Sequence, residues 1–292
     1  MANRFVTTFS TNWNCNHHNP TLQKKYYQKM SAKTTLQKFQ EYFILSRKEG
    51  GFGTSANRSQ IWSEVLSYTK FDGRNENFRK YLGHYHRDKE QIQFDVERSL
   101  WHFDEVSNLD ASSLLIRRES LSDIITAVFC KNPTLYYYQG FHDFVSIFLL
   151  IVKDEKLTFE LVDSAVEAYI TDFMGENFSN VSILMELVFT IFRLYDYELY
   201  DFLVKASVEP YFYTSWLLTW FSHDVKSINA IARIYDALLC SHPIFIFYLC
   251  AAVSKVRLRI CGFMTRCFTY GLGSHSSSRP YPQLLMRFRN RP

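Results

Sequence analysis

Two side chains of this 292-residue sequence have the type and setting to act on a bound partner, Arg98 and Gln139. Arg98 closes the segment Ile92-Gln93-Phe94-Asp95-Val96-Glu97-Arg98. On a helical wheel at ~100° per residue, Ile92, Val96, Leu100 and Phe103 fall within about 80° of one another and predict a buried stripe. Arg98 falls nearly opposite, so its guanidinium is expected to point away from the core. Asp95 lies three residues earlier, close enough to pair with it on the helix surface and hold one rotamer before a partner arrives. Phe94 and Trp101 fall near the same face. Two large aromatics beside an outward Arg suit a docking surface, unless another helix covers them. Taken alone, an outward arginine is most often only a solvated charge.

Gln139 belongs to the run Tyr136-Tyr137-Tyr138-Gln139-Gly140-Phe141-His142-Asp143, which follows Asn132-Pro133 and precedes an apolar helix. The residue is therefore expected at a helix start, with Gly140 permitting close approach of another backbone. An amide side chain offers one acceptor and two donors, so it can orient a water molecule but not take its proton. The competing reading is a helix-end Gln bonded to backbone.

Other chemistry is excluded by spacing. Gly50-Gly51-Phe52-Gly53 lacks the Gly-Lys-Ser/Thr of a phosphate loop and reads as a turn between helices. His86-Arg87-Asp88 has neither the downstream Asn nor the D-F-G of a kinase. Cys15, His17 and His18 lack a second ligand pair for a metal. His223 and His242 are expected as buried, hydrogen-bonded structural residues.

The elements that must position these side chains are helical throughout. A helical pattern begins near Thr35 and stops at the glycine-rich turn; Ser59 is placed to cap the next helix, which carries Ile61, Trp62, Val65 and Leu66. Further helices are expected from Arg87 to Phe103, from Ser112 or Ser113 to Asn132, and over Asp143–Val152, Thr158–Phe173, Ile183–Leu194, Glu198–Lys205, Tyr213–Phe221 and Ile228–Leu239. A last one begins near Pro243. With scarce strand-like alternation and short connections, roughly ten helices make the chain all-α.

Composition agrees with a globular domain: 47% hydrophobic, 21% charged. The net charge of +4 hides an asymmetry, because from Ser254 onward there are eight Lys and Arg and no Asp or Glu, leaving the preceding body at −4. Basic and aromatic residues do not interleave across the body, which argues against nucleic-acid binding. The six cysteines form no C-x-x-C pair and no signal-peptide core precedes them, a pattern of reduced thiols facing the cytosol. The apolar run Ala237–Val253 is broken by Ser241, His242 and Pro243 and reads as two helix halves rather than a membrane span. The organisation expected is a loose segment 1–33, a domain 34–253, and a basic, divergent tail 254–292.

Two of these segments match a family signature in order and separation. Ile92 to Arg98 resembles the I-x-x-D-x-x-R of the TBC domain family, and Tyr137-Tyr138-Gln139-Gly140 resembles its Y-x-Q-G. Arg58 through Trp62 looks like the family's R-x-x-x-W. His86-Arg87-Asp88, Arg98-Ser99, Tyr137 through Asp143, Ser215 through His223, Arg233-Ile234-Tyr235-Asp236 and His242-Pro243 together resemble its "member 20" subgroup. The resemblance implies a two-lobed, all-helical domain that accelerates GTP hydrolysis on a Rab GTPase in its GTP form. It implies Arg98 and Gln139 as the two catalytic fingers. Asp95 would position Arg98, and Tyr137 and Gly140 would shape the turn carrying Gln139. GTP and Mg²⁺ would belong to the Rab, so no cofactor of the chain's own is implied. The subgroup further implies the cytoplasmic face of the endoplasmic reticulum and a Rab of early secretory traffic, with membrane association possible, although no anchor is recognised here. The alternative is a binding or scaffold module that holds a Rab, or another partner, without catalysis.

Overall fold

The computed structural model describes residues 35–67 and 77–260. The segment 1–33, the Cys15, His17 and His18 cluster and residues 261–292 of the tail lie outside the described residues. The chain divides into two compact units, residues 1–42 and 43–292. Of the first, only residues 35–42, the start of helix α1 (Thr35–Leu45), are described.

The second unit is built from helices α2 (Ser55–Ser67), α3 (Lys89–Glu97), α4 (Ala111–Lys131), α5 (Phe141–Val152), α6 (Glu155–Ala165), α7 (Ser179–Tyr195), α8 (Tyr197–Lys205), α9 (Thr214–Thr219), α10 (Ile228–Leu239) and α11 (Phe245–Ile260). No strand occurs among the described residues, as the helical periodicity requires. The starts of several helices are written locally. Asp154, Asp196 and Ser227 each accept a hydrogen bond from a backbone N–H of the first turn of α6, α8 and α10, relieving donors that have no partner inside the helix.

Helix α5 is the axis of the unit. Residues 141–151 are all buried, which is what an apolar helix without a polar face must do. It packs against α2, α3, α4, α6, α9 and α10. Its Phe144 and Phe148 meet Trp62, Trp220 and Tyr235 edge to face or tilted, with centroids 5.1–5.8 Å apart, the arrangement ring quadrupoles favour. A second group forms where α7 packs on α8 and α11.

A buried carboxylate ties this core together. Asp236 of α10, fully buried, accepts hydrogen bonds from Arg58 Nε at 3.1 Å, Trp62 Nε1 at 2.9 Å and the Phe52 backbone N–H at 3.2 Å. The R-x-x-x-W pattern thus puts both its side chains, one turn apart on α2, onto one acceptor. The turn before α2 must come close for Phe52 to join. At Gly51 the left-handed backbone, φ +54°, favours glycine, and an added Cβ would fall 2.6 Å from the buried Asp236 Oδ2.

Several helix boundaries differ from the sequence expectation; α7, for one, begins at Ser179 and not at Ile183. Helix α2 begins at Ser55, behind a Thr54 whose Oγ1 accepts from the Asn57 N–H at 3.2 Å, and not at Ser59. The helix expected over 87–103 ends at Glu97, because Leu100 takes φ +72° to drive its fully buried side chain inward. The helix expected over 158–173 runs from Glu155 to Ala165 and then loosens into a π turn and a 3₁₀ turn. That expected over 213–221 ends at Thr219, because Trp220 and Phe221 both adopt positive φ while burying their rings. Left-handed backbone at a bulky residue is strained, and aromatic burial offsets it here.

The apolar run 237–253 is the end of α10 and most of α11, as expected, and no described helix is long and apolar enough to cross a membrane. Helix α11 continues to Ile260, past the polarity change at Val253, and Lys255 pairs with Asp196 at 2.7 Å. Cys130, Cys240 and Cys250 are unpaired thiols, and burial pushes those of Cys240 and Cys250 far above their ordinary range.

Candidate functional site

Arg98 is the residue at which α3 stops. It has left helical geometry, at φ −102° and ψ 13°, and points outward from the end of the helix and not from within it. The turn that follows is fixed from three sides. Ser99 Oγ donates back to Val96 O at 2.7 Å, Arg118 of α4 donates from Nη2 to Ser99 O at 2.8 Å, and Leu100 is buried. A cation at a helix C-terminus also meets the negative end of the helix dipole.

Below Arg98 lies Asp95, with its side chain fully buried. One carboxylate oxygen, Oδ1, accepts from Arg98 Nη2 at 2.5 Å and from Gln91 Nε2 at 3.1 Å. The other, Oδ2, accepts from the Tyr137 hydroxyl at 2.8 Å and lies 3.5 Å from His142 Nδ1. Arg98 itself is 58% exposed. A buried anion therefore orients an accessible cation, an arrangement that fixes a guanidinium before it has anything to bind.

Burial pushes the Asp95 carboxyl up, but hydrogen bonds from His142, Tyr137 and Arg98 outweigh it and bring it down to about 2. The Tyr137 hydroxyl moves the other way, raised by burial and by the Asp95 carboxylate beside it, so it keeps its proton and donates. A carboxyl depressed in the fold stabilises it above the ordinary carboxylate value and loses that contribution as pH falls towards 2. Wild type is thus expected to lose roughly 2 kcal/mol between pH 4 and 2 through this group alone. Denaturant melts of wild type and Asp95→Asn over that range check it, since the variant's curve should be correspondingly flatter.

The turn carrying Gln139 is pinned to the same helix. Asp88, at the start of α3, accepts the Tyr137 N–H at 2.9 Å. Arg87 donates to Pro133 O and Leu135 O at 3.1 and 2.9 Å while its guanidinium covers the Tyr136 ring at 3.7 Å. His86, buried against Phe129, accepts the Asp88 N–H. The triplet His86-Arg87-Asp88 is thus the clamp on this turn, a role that no spacing in the sequence announces. Tyr138 donates to Leu218 O at 2.7 Å. Gly140 follows at φ +107°, and a Cβ there would meet Thr219 Cγ2 at 3.0 Å. Glycine is required for its conformation and for the close approach of α9. Gln139 is exposed just before this cap, and its amide has no hydrogen-bond partner among the described residues.

Asp95 and Tyr137, expected as positioning residues, therefore meet in one hydrogen bond, and through it Arg98 is tied to the turn that presents Gln139. Phe94 and Trp101 are 63% and 68% exposed, and no described helix covers them. His223 and His242 correct the sequence reading. Both are exposed rather than buried. His223 Nδ1 meets the buried Asp143 at 2.7 Å and His242 Nδ1 accepts the Ile244 N–H at 3.2 Å. No group of three or more His, Cys, Asp or Glu among the described residues could hold a metal ion.

With this geometry in place, comparison with known proteins is informative. The family model for the Rab-GTPase-TBC domain matches residues 55–258. Mouse "TBC1 domain family member 20" is 35% identical over 209 residues, which cover 72% of the chain and 51% of that protein. The "GTPase-activating protein gyp10" of Schizosaccharomyces pombe is 31% identical over 207 residues, covering 70% of the chain and 54% of that protein. The chain spans about half the length of the curated relatives it matches. The crystal structure of the Ypt/Rab-GAP domain of Gyp1p superposes with a TM-score of 0.60 at 14% identity, over 93% of the chain and 92% of that domain. The Chlamydomonas flagellar RabGAP TBC domain gives 0.60 at 16% identity, over 81% and 77%. At such identities these two structures speak to the fold alone.

Proposed function

Because the chain belongs to the Rab-GTPase-TBC domain family, we propose that it is a GTPase-activating protein that lends Arg98 and Gln139 to a GTP-loaded Rab GTPase. One observation carries this reading. The fully buried Asp95 carboxylate holds the exposed Arg98 on one oxygen and, on the other, the tyrosine two residues before the exposed Gln139. An outward guanidinium and an outward amide on one buried hydrogen-bonded base are what a reaction in trans requires.

In that reaction a water oxygen bonds to the γ-phosphorus as the bond to the β–γ bridging oxygen breaks, giving GDP and phosphate. Negative charge spreads over the transferring group. A guanidinium placed against it stabilises the transition state more than the ground state. The Gln139 amide accepts from the water through its oxygen and donates through its nitrogen, aligning the nucleophile without removing its proton. GTP and Mg²⁺ are brought by the Rab. Within this reading the site residues all lie within residues 34–253, and helix α11 runs on past that boundary to Ile260.

The finer proposal rests on the subgroup resemblance: a Rab of endoplasmic-reticulum-to-Golgi traffic, met on the cytoplasmic face of the endoplasmic reticulum. Single-turnover GTP hydrolysis across a Rab panel tests both levels, with Arg98→Ala and Gln139→Ala beside wild type. A chain that only binds would retain GTP-loaded Rab without changing its hydrolysis rate. Preference for a Rab outside early secretory traffic would remove the finer proposal and leave the coarser one.

Phe94 and Trp101 extend the surface around Arg98. Trp101→Ala is expected to raise the half-saturating concentration of the Rab about tenfold, the effect of losing an aromatic anchor of ~1.4 kcal/mol. The melting temperature should stay nearly constant, because the ring is mostly in solvent. A large drop in melting temperature with unchanged half-saturation would assign Trp101 to the fold instead.

A further inference from the structure

The line of contacts beneath Arg98 does not end at Asp95. His142, the second residue of α5, is buried, with Nδ1 3.5 Å from Asp95 Oδ2 and 3.2 Å from the Tyr137 hydroxyl oxygen. Its Nε2 lies 3.3 Å from Oδ1 of Asp143. The other oxygen of Asp143 meets His223 Nδ1 at 2.7 Å, and His223 is 63% exposed on the turn after α9. Carboxylates and imidazoles thus alternate from the exposed Arg98 to the exposed His223.

The groups facing His142 are Asp95 from α3, Tyr137 from the preceding turn and Asp143 from its own helix. His223 stands behind Asp143, and the Tyr137 and Tyr235 hydroxyls lie within the field of Asp143. The atoms closest to the ring are oxygens able to accept, since the Tyr137 proton goes to Asp95. A ring so placed binds its neighbours by donating N–H, and it bridges both carboxylates when both nitrogens donate. The consequence for Arg98 is mechanical. A carboxylate turns easily about its last torsion. Gln91 holds Oδ1 and Tyr137 holds Oδ2, and a second contact on Oδ2 narrows that torsion further. Arg98 takes its aim from the opposite oxygen.

We propose that His142 is a positioning residue for Arg98, acting through Asp95, with Asp143 and His223 as its outer support. This rests on the proposed GTPase-activating role and deepens it. His142 does not touch the reacting atoms; it governs how narrowly the guanidinium is held.

The test is a double-mutant cycle on the full chain, reading single-turnover GTP hydrolysis by the most responsive Rab of the panel. His142→Phe is expected to lower the rate at saturating chain about tenfold, the scale of a misaimed catalytic group, with the half-saturating concentration within about twofold. In the Arg98→Ala background the same change should have no further effect, because its whole action passes through Arg98. His142→Gln, which retains an N–H donor, should recover part of the loss, and His223→Ala should show a smaller loss in the same direction. An unaltered rate for His142→Phe would overturn the proposal, as would an equal fractional loss in the Arg98→Ala background. If His142→Phe does not fold, His223→Ala decides through the same cycle: a loss confined to the Arg98 background supports the proposal, and no loss or an additive one overturns it. An Arg98→Ala chain as active as wild type would instead sink the underlying role, a result distinguishable from all of these.

Discussion

Arg98→Ala is expected to lower the rate at which the chain stimulates GTP hydrolysis by a Rab by ~10³-fold or more, since a trans-acting arginine contributes about 10³ to 10⁵ in this class of reaction. The expectation follows from where charge develops. The Rab's own site leaves the transferring phosphoryl group short of donors, and a permanent cation with five N–H groups supplies what is missing. The loss should fall on the rate at saturation far more than on the half-saturating concentration, because the interaction strengthens only as the transition state forms. Stability should change little. Arg98 is largely in solvent, and without it Asp95 still accepts from Tyr137 and Gln91. Arg98→Lys is expected to recover only a small part, since an ammonium has no planar fork to span two oxygens. Stopped-flow phosphate release under single-turnover conditions measures all three chains. Equal rates for wild type and Arg98→Ala on every Rab would end the catalytic reading.

The largest effect on stability is expected far from that surface. Arg58→Met should destabilise the fold by about 3–5 kcal/mol, the cost of taking its buried cation from a buried carboxylate that keeps as a cation only Arg233 Nη1, 4.0 Å away. Methionine keeps most of the apolar stem, so the change isolates the charge. At the size of this domain it corresponds to a fall in melting temperature of roughly 6–20 °C. Burial already pushes the Asp236 carboxyl up, against the pull of Arg58, the Phe52 N–H and Trp62. A carboxyl raised in the fold favours the folded state at low pH and loses that advantage as pH rises through its folded value. Removing Arg58 raises it further, so the variant's deficit should be smaller at pH 5 than at pH 8. Asp236→Asn in the same chain should recover part of the loss at pH 8. Denaturant melts of the three chains at both values check this, and an Arg58→Met deficit below ~1 kcal/mol would show that the pair is not a structural clamp.

Much of the molecule is written in short stretches of sequence. The helix of Ile61, Trp62, Val65 and Leu66, the all-apolar α5 and the pairing of Asp95 with Arg98 depend on residues one turn apart, which helical geometry brings together wherever the helix forms. Gly140 by its type permits a close neighbour at the start of α5. These features were legible, as were the outward direction of Arg98 and the exposure of Gln139 beside a helix start.

What tertiary structure decided are the links between such stretches. Tyr137 reaches Asp95 across 42 residues of chain, and Arg58 reaches Asp236 across 178. No periodicity encodes either meeting, because both arise from the way α5 and α10 pack against their neighbours. The same holds for the stop in α3. Nothing near Arg98 breaks a helix by type, and Leu100 takes a strained backbone only because a buried site awaits its side chain. His142 and His223 were equally opaque, one lying between two carboxylates and the other exposed over one of them. Local sequence thus determined which residues could stand outward, through the repeat of the helix. Packing of distant segments decided what stands beneath them, because a buried polar atom takes its partners from whatever element is folded against it.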